Sequence, residues 1–154
     1  VAAEAMEVLG GNGYVEEGPL ARCYRQMPLN SIWEGAGNVM CLDVVRALAR
    51  DARCAGALHD EISAARGGNA HLDAHAARLE AALRTGVPDE SQARTLVQAV
   101  ALAVQGALLV RHAPAFVADA FCASRLAPHV FAGGAFGTLP AGADATAIVG
   151  RTWP

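Results

Sequence analysis

Leu96-Val97-Gln98-Ala99-Val100-Ala101-Leu102-Ala103-Val104-Gln105-Gly106-Ala107-Leu108-Leu109-Val110 is nearly unbroken apolar sequence, and how it is read decides the fold. The run is 15 residues long and is interrupted by Gln98 and Gln105. A membrane span wants about 18–20 apolar residues, so the run predicts a central bundle helix instead, over Glu90–Arg111. Upstream, Thr85-Gly86-Val87-Pro88 is a breaker, and Asp89 is placed to cap the helix that follows. Before the breaker, Leu72, Leu79 and Leu83 define the inner face of a shorter helix, Ala70–Arg84. Downstream, Pro114 starts a further helix carrying Phe116, Val117, Ala120 and Phe121.

Further out, a long helix is expected from Gly37 to about Arg66, closed by Gly67-Gly68-Asn69. Leu42, Val45, Ala49, Ala52 and Gly56 supply its i, i+3, i+4, i+7 face. Val1–Leu9 reads as the last turns of a helix already under way, closed by Gly10-Gly11-Asn12-Gly13. Tyr14–Asn30, with Pro19 and Pro28, is expected to be irregular, with a short helical piece around Leu20–Arg25. From Pro128 on, Gly133-Gly134, Gly137, Pro140 and Gly142 predict a loosely packed tail with at most one short helix. The fold class is therefore all-α, an antiparallel helical bundle over residues 1–127 with a Gly/Pro-rich tail over 128–154. No internal repeat is seen.

Composition agrees. The chain has 154 residues, enough for one domain and a sizeable core. Its apolar fraction is 53%, but 35 of those residues are Ala and aromatics are only 5%, a helix-forming mixture poorly suited to a sandwich or barrel. All 12 basic residues are Arg. The absence of Lys excludes a P-loop lysine, a Schiff-base lysine and a lysine-rich nucleic-acid tail. A net charge of −3 gives no global attraction to an anionic polymer. No basic segment followed by an apolar stretch suggests a signal peptide. The four cysteines form no C-x-x-C and are expected to be reduced, mostly buried thiols of a cytoplasmic protein.

Two glycine clusters invite a nucleotide reading. Gly35-Ala36-Gly37-Asn38-Val39-Met40 starts like G-x-G-x-x-G, but its last position is Met and no βαβ unit surrounds it. Gly10-Gly11-Asn12-Gly13 has the wrong spacing. A Rossmann site is rejected; what remains is glycine-rich backbone beside a helix N-terminus, either an anion-binding corner or a pair of ordinary caps. Glu34 stands between Trp33 and Gly35. In apolar surroundings its neutral form would be favoured, which suits general-base duty; in solvent it is a helix-N-terminal acid.

Leu9-Gly10-Gly11-Asn12-Gly13-Tyr14, then Tyr24-Arg25, then Ile32-Trp33-Glu34-Gly35 with Asn38, closely resembles the C-terminal helical domain of acyl-CoA dehydrogenases. Within that superfamily, the stretch from Arg22 to Asp43 is most similar to the AidB group, the adaptive-response flavoproteins. The resemblance is specific over Ala5–Leu48 and looser to about Arg125.

The resemblance implies a flavoenzyme in which a glutamate removes the α-proton of an acyl-CoA thioester while the β-hydride passes to FAD. Glu34 falls on the position of that glutamate, and Trp33 on an aromatic lining the flavin and acyl pocket. Gly10, Gly11 and Gly13 match a turn that meets the FAD of a neighbouring subunit. Ala36 and Asn38 match positions contacting the ADP part of the cofactor, although Ala36 lacks the hydroxyl usual there. Glu7 stands where many members have a flavin-contacting Gln. Some branches take the base from another helix. Full members also carry an N-terminal helical domain and a β-barrel domain and assemble as dimers or tetramers. The chain alone is therefore expected to hold FAD weakly or not at all and to lack dehydrogenase turnover.

The AidB resemblance also brings double-stranded DNA binding as an alternative function. Arg46, Arg50 and Arg53 stand at i, i+4, i+7, one stripe on an unbroken helix, with Asp43, Asp51, Asp60 and Glu61 on the same helix to neutralise it. A plain subunit-assembly domain is the third reading. His71 and His75 have a metal-ligand spacing with Asp73 between them, but no third ligand is apparent, so no metal is expected. His59, His112 and His129 look isolated, and no membrane association is expected.

Overall fold

The computed structural model describes residues 1–86, 89–128 and 137–152. Among them every regular element is helical. Val87 and Pro88 of the predicted breaker, His129 and Gly133-Gly134 lie outside the described residues. The chain divides into two compact units, Val1–Asp43 and Val44–Pro154.

The first unit contains α1 (Ala2–Val8), α2 (Gly11–Tyr14), α3 (Leu20–Gln26), a 3-10 turn over Met27–Ser31, and the start of α4 (Gly37–Arg50). The expected irregular stretch is thus largely helical. The short piece predicted around Leu20–Arg25 is α3, and Pro28 sits near the start of the 3-10 turn, where its missing N–H costs nothing.

The second unit follows from the end of α4 through α5 (Ala52–Ser63), α6 (Ala70–Arg84), a 3-10 turn over Glu90–Gln92, α7 (Ala93–His112), α8 (Ala115–Arg125) and α9 (Ala145–Gly150). The long helix expected from Gly37 to Arg66 is broken at Asp51, whose backbone is extended. Asp51 Oδ1 accepts the Arg53 N–H at 2.9 Å, so a new helix begins there with its own cap. The break also changes the face. Ala49, Ala52 and Gly56 are exposed, and the inward positions after it are Ala55, Leu58 and Ile62.

α6 has the bounds its pattern predicts. Asn69 caps it by accepting the N–H groups of His71 (3.0 Å) and Leu72 (3.3 Å). Asn69 Nδ2 in turn donates to Asp119 Oδ1 at 2.9 Å, tying the start of α6 to α8.

α7 lies against α5, α6 and α8. By length and composition Glu90–His112 could cross a membrane. Its buried residues Ala93, Leu96, Ala103, Gly106 and Ala107 instead face neighbouring helices, the position of a bundle's central helix. Ala65, Leu72, Ala107, Cys122 and Leu126 form the core, with Leu102, Val110 and Phe121 packed on it. Burying a leucine such as Leu72 contributes about 1.5–3 kcal/mol. Ser124, the buried polar residue among those described, donates its hydroxyl to the Ala120 carbonyl at 2.7 Å.

Cysteine burial differs from expectation. All four are free thiols, but Cys23 and Cys54 are exposed, Cys41 is half-buried and Cys122 alone is buried. Helical periodicity explains the error: both exposed cysteines sit on short helices whose inner faces run through other positions.

Candidate functional site

The flavin-site residues read from sequence fall within the first unit, around two turns, and the three arginines of the DNA reading fall in the second. α1 ends at Leu9, and Gly10 at φ +57° reverses the chain into α2. Gly13 is buried against α1, where a Cβ would overlap the Met6 carbonyl oxygen and stand 2.8 Å from the Met6 Cα. At Gly11 a Cβ would meet open space. The turn thus needs glycine at position 10 for conformation and at position 13 for packing, while Gly11 leaves exposed backbone that another molecule can approach.

The second turn follows the Met27–Ser31 segment. The Ile32 and Trp33 N–H groups both donate to the Leu29 carbonyl, at 2.9 and 3.1 Å. Gly35 at φ +118° then redirects the chain into α4. Trp33 is 67% exposed, and Glu34, Ala36 and Asn38 are exposed as well. Among the described residues none encloses the Glu34 carboxylate.

Sequence reasoning missed a clamp beside the glycine turn. Arg25 donates from both terminal nitrogens to Glu16, at 2.5 and 3.0 Å, holding α3 to the segment after α2. That hydrogen bonding holds the Glu16 carboxyl below its ordinary value of 4.5. The pair borders a groove of about 500 Å³ lined also by Met6, Tyr14, Ala21 and Tyr24. No periodic signal marks two residues nine apart across a turn.

Comparison with known proteins bears directly on this unit. Residues 1–49 match the family described as acyl-CoA dehydrogenase, C-terminal domain. The Escherichia coli protein named putative acyl-CoA dehydrogenase AidB is 43% identical over 120 residues, which is 78% of this chain. The chain carries an AidB-like acyl-CoA dehydrogenase C-terminal domain. A second relative, acyl-CoA dehydrogenase family member 11 of Caenorhabditis elegans, is 41% identical over 46 residues, 30% of the chain. The chain spans 22% of the length of the first relative and 8% of the second.

Gly11 leaves open space above its backbone, and Trp33 presents an exposed ring. Neither turn lines the groove beside Arg25 and Glu16, so enclosure of a dinucleotide is not a property of these residues alone.

The helix expected to carry the arginine stripe is broken at Asp51. Arg46 and Arg50 lie on α4 and Arg53 on α5. Arg46 Nη2 stands 3.8 Å from Glu90 Oε1, and Arg53 is held by Asp51 at 2.6 Å. Among the described residues no group of three His, Cys, Asp or Glu side chains is placed to hold a metal. His75 is occupied structurally instead: its Nε2 lies 2.9 Å from the Ala99 carbonyl oxygen.

Proposed function

We propose that the chain is the C-terminal helical part of an FAD-dependent flavoprotein that dehydrogenates an acyl-CoA thioester between Cα and Cβ. The observation that carries this reading is the family match over 1–49, which spans the glycine turn, Trp33 and Glu34 together. Glu34 is the base that accepts the α-proton, and an exposed carboxylate on a turn can meet a substrate presented by other domains. Gly10, Gly11 and Gly13 form the turn that approaches FAD, Trp33 lines the flavin and acyl pocket, and Ala36 and Asn38 lie along the ADP portion. FAD, when bound, supplies the hydride acceptor. An N-terminal helical domain, a β-barrel domain and a second subunit complete the site, so the chain alone binds FAD weakly or not at all. Four free thiols fit a cytoplasmic setting.

The experiment uses the full-length protein. Glu34→Gln is expected to keep the yellow flavin spectrum and to slow bleaching by isovaleryl-CoA about 10²–10⁴-fold. Unchanged bleaching would remove Glu34 as the base. Stoichiometric FAD and acceptor reduction in the 154-residue chain would remove the dependence on other domains.

Duplex-DNA binding is the lesser reading. It is supported by Arg50, which makes no ion pair among the described residues, while Arg46 and Arg53 face carboxylates with which a phosphate must compete. A salt-dependent affinity for labelled duplex that falls in Arg46→Ala and Arg50→Ala would support it; equal, salt-insensitive affinities would eliminate it. Subunit assembly through the helical faces is tested by the mass of the chain in solution, where a strict monomer at high concentration counts against it.

A further inference from the structure

α6 and α7 border an open groove of about 290 Å³ in the second unit. Its apolar wall includes Leu79 and Leu96, both buried, and Ala99, which is half-buried. Its polar lining is His75, half-buried, with Arg78, Gln92 and Thr95, all exposed, and among the described residues no carboxylate lines it. His75 is fixed in place: a carbonyl only accepts, so the 2.9 Å bond to Ala99 requires the proton on Nε2. Arg78 Nη2 donates to the Leu126 carbonyl at 3.3 Å. That bond uses one of the five N–H groups of a guanidinium.

Arg78 differs from half of the arginines in facing no carboxylate among the described residues, and it lies beside an apolar groove. Arg25, Arg46, Arg53, Arg66, Arg84 and Arg111 each stand within 4.0 Å of a carboxylate. Arg78 has no ion pair among the described residues and borders the apolar groove instead. An apolar wall selects for an alkyl or aryl group. A guanidinium beside it, with no competing carboxylate, selects for a planar anion that can take two parallel hydrogen bonds. A cationic ligand would gain nothing here, and a neutral one would leave the guanidinium's donors to water.

We infer that the α6–α7 groove is a binding site for a small amphiphilic carboxylate, its chain against Leu79, Leu96 and Ala99 and its carboxylate on Arg78. The site uses none of the residues assigned to flavin chemistry, so its failure leaves that assignment untouched.

The test titrates the 154-residue chain, followed by NMR, with sodium octanoate, octanol and octyltrimethylammonium. Octanoate is expected to give saturable shifts at Leu79, Leu96 and Ala99, with octanol weaker by about tenfold or more and the ammonium compound weaker still. Arg78→Gln keeps an amide donor near Leu126 and should weaken octanoate about tenfold while leaving octanol unchanged. Ala99→Phe, at a half-buried position, should fill the groove and abolish both responses in a chain whose remaining spectrum is native. Absence of saturable shifts, equal binding of octanoate and octanol, or octanoate binding unaltered by Arg78→Gln would each overturn the inference. Shifts that depend on protein concentration rather than on octanoate would assign the groove to a second copy of the chain, which also overturns it.

Discussion

Gly13 is packed so closely on Met6 that a side chain at that position would overlap the Met6 carbonyl. The glycine turn proposed to meet a cofactor is therefore also a packing device, and its three glycines can be separated by substitution. Gly13→Ala forces the backbone of α1 or α2 to move and should cost about 1–3 kcal/mol, as overpacking does. Gly10→Ala puts a side chain at φ +57° and should cost about 1–2 kcal/mol. Gly11→Ala meets open space and should stay within about 0.5 kcal/mol. Hydrogen exchange over residues 1–26 orders the three. In the full-length protein Gly11→Ala should weaken FAD without loosening the turn, and an unchanged FAD affinity would place the cofactor elsewhere.

Asp51 gives a pH prediction of definite sign. Hydrogen bonds from the Arg53 side chain, and then from its backbone N–H, hold the Asp51 carboxyl below its ordinary value of 3.8. A carboxyl depressed in the folded state stabilises above its unfolded pKa, and that contribution is lost as pH falls through the folded one. The start of α5 should therefore loosen on acidification below about pH 4. A carboxyl-detected NMR titration should place the Asp51 midpoint under 3.8. Arg53→Ala should move it only part of the way back, because the residue 53 N–H remains; a midpoint at or above the ordinary value in the parent chain would contradict the cap.

That same residue marks where the fold was legible in sequence and where it was not. Ala70–Arg84 could be read to the residue because Asn69 is a strong cap and Leu72 and Leu79 sit at true inner positions. Gly37 to Arg66 was misread because alanines sustain a helical period on any face, so the spacing of Ala49, Ala52 and Gly56 carried no burial information. The signal that could have found the break was Asp51 two residues before Arg53, an Asp able to cap a new helix. In the candidate site, sequence could nominate residues because motif spacing is local. The exposure of Trp33 and Glu34 was not, because their covering is not a property of neighbouring sequence.

The cysteines should separate by reactivity. Burial, and after it the nearby Asp119 charge, pushes the Cys122 thiol from 9.0 up to about 11. At neutral pH a disulfide reagent should modify Cys23 and Cys54 quickly and Cys41 slowly, with Cys122 reacting only after unfolding. Because the folded thiol has the raised pKa, its contribution is intact below the unfolded value. It is lost as pH rises from about 9 to about 11. Cys122→Ala should remove that alkaline loss while lowering stability at pH 7 through the cavity it leaves. Fast modification of four thiols in the folded chain would be incompatible with this core.

Gly106 sets two opposing terms against each other at the centre of α7. A glycine inside a helix costs about 0.8–1.0 kcal/mol relative to alanine, which favours Gly106→Ala. Against this, the added Cβ would lie 3.0 Å from Leu126 Cδ1 and 3.1 Å from Leu72 Cδ1, so both leucine tips must yield by a few tenths of an ångström. Those tips are the ends of flexible side chains, and the two terms should nearly cancel, leaving Gly106→Ala within about 1 kcal/mol of the parent. Valine adds two methyls into the same contact and loses helix propensity as well, so Gly106→Val should destabilise by about 1–3 kcal/mol. Urea midpoints with unchanged slopes measure both. A neutral Gly106→Val would mean that α7 does not approach Leu72 and Leu126 so closely, and the core built on Cys122 would have to be redrawn.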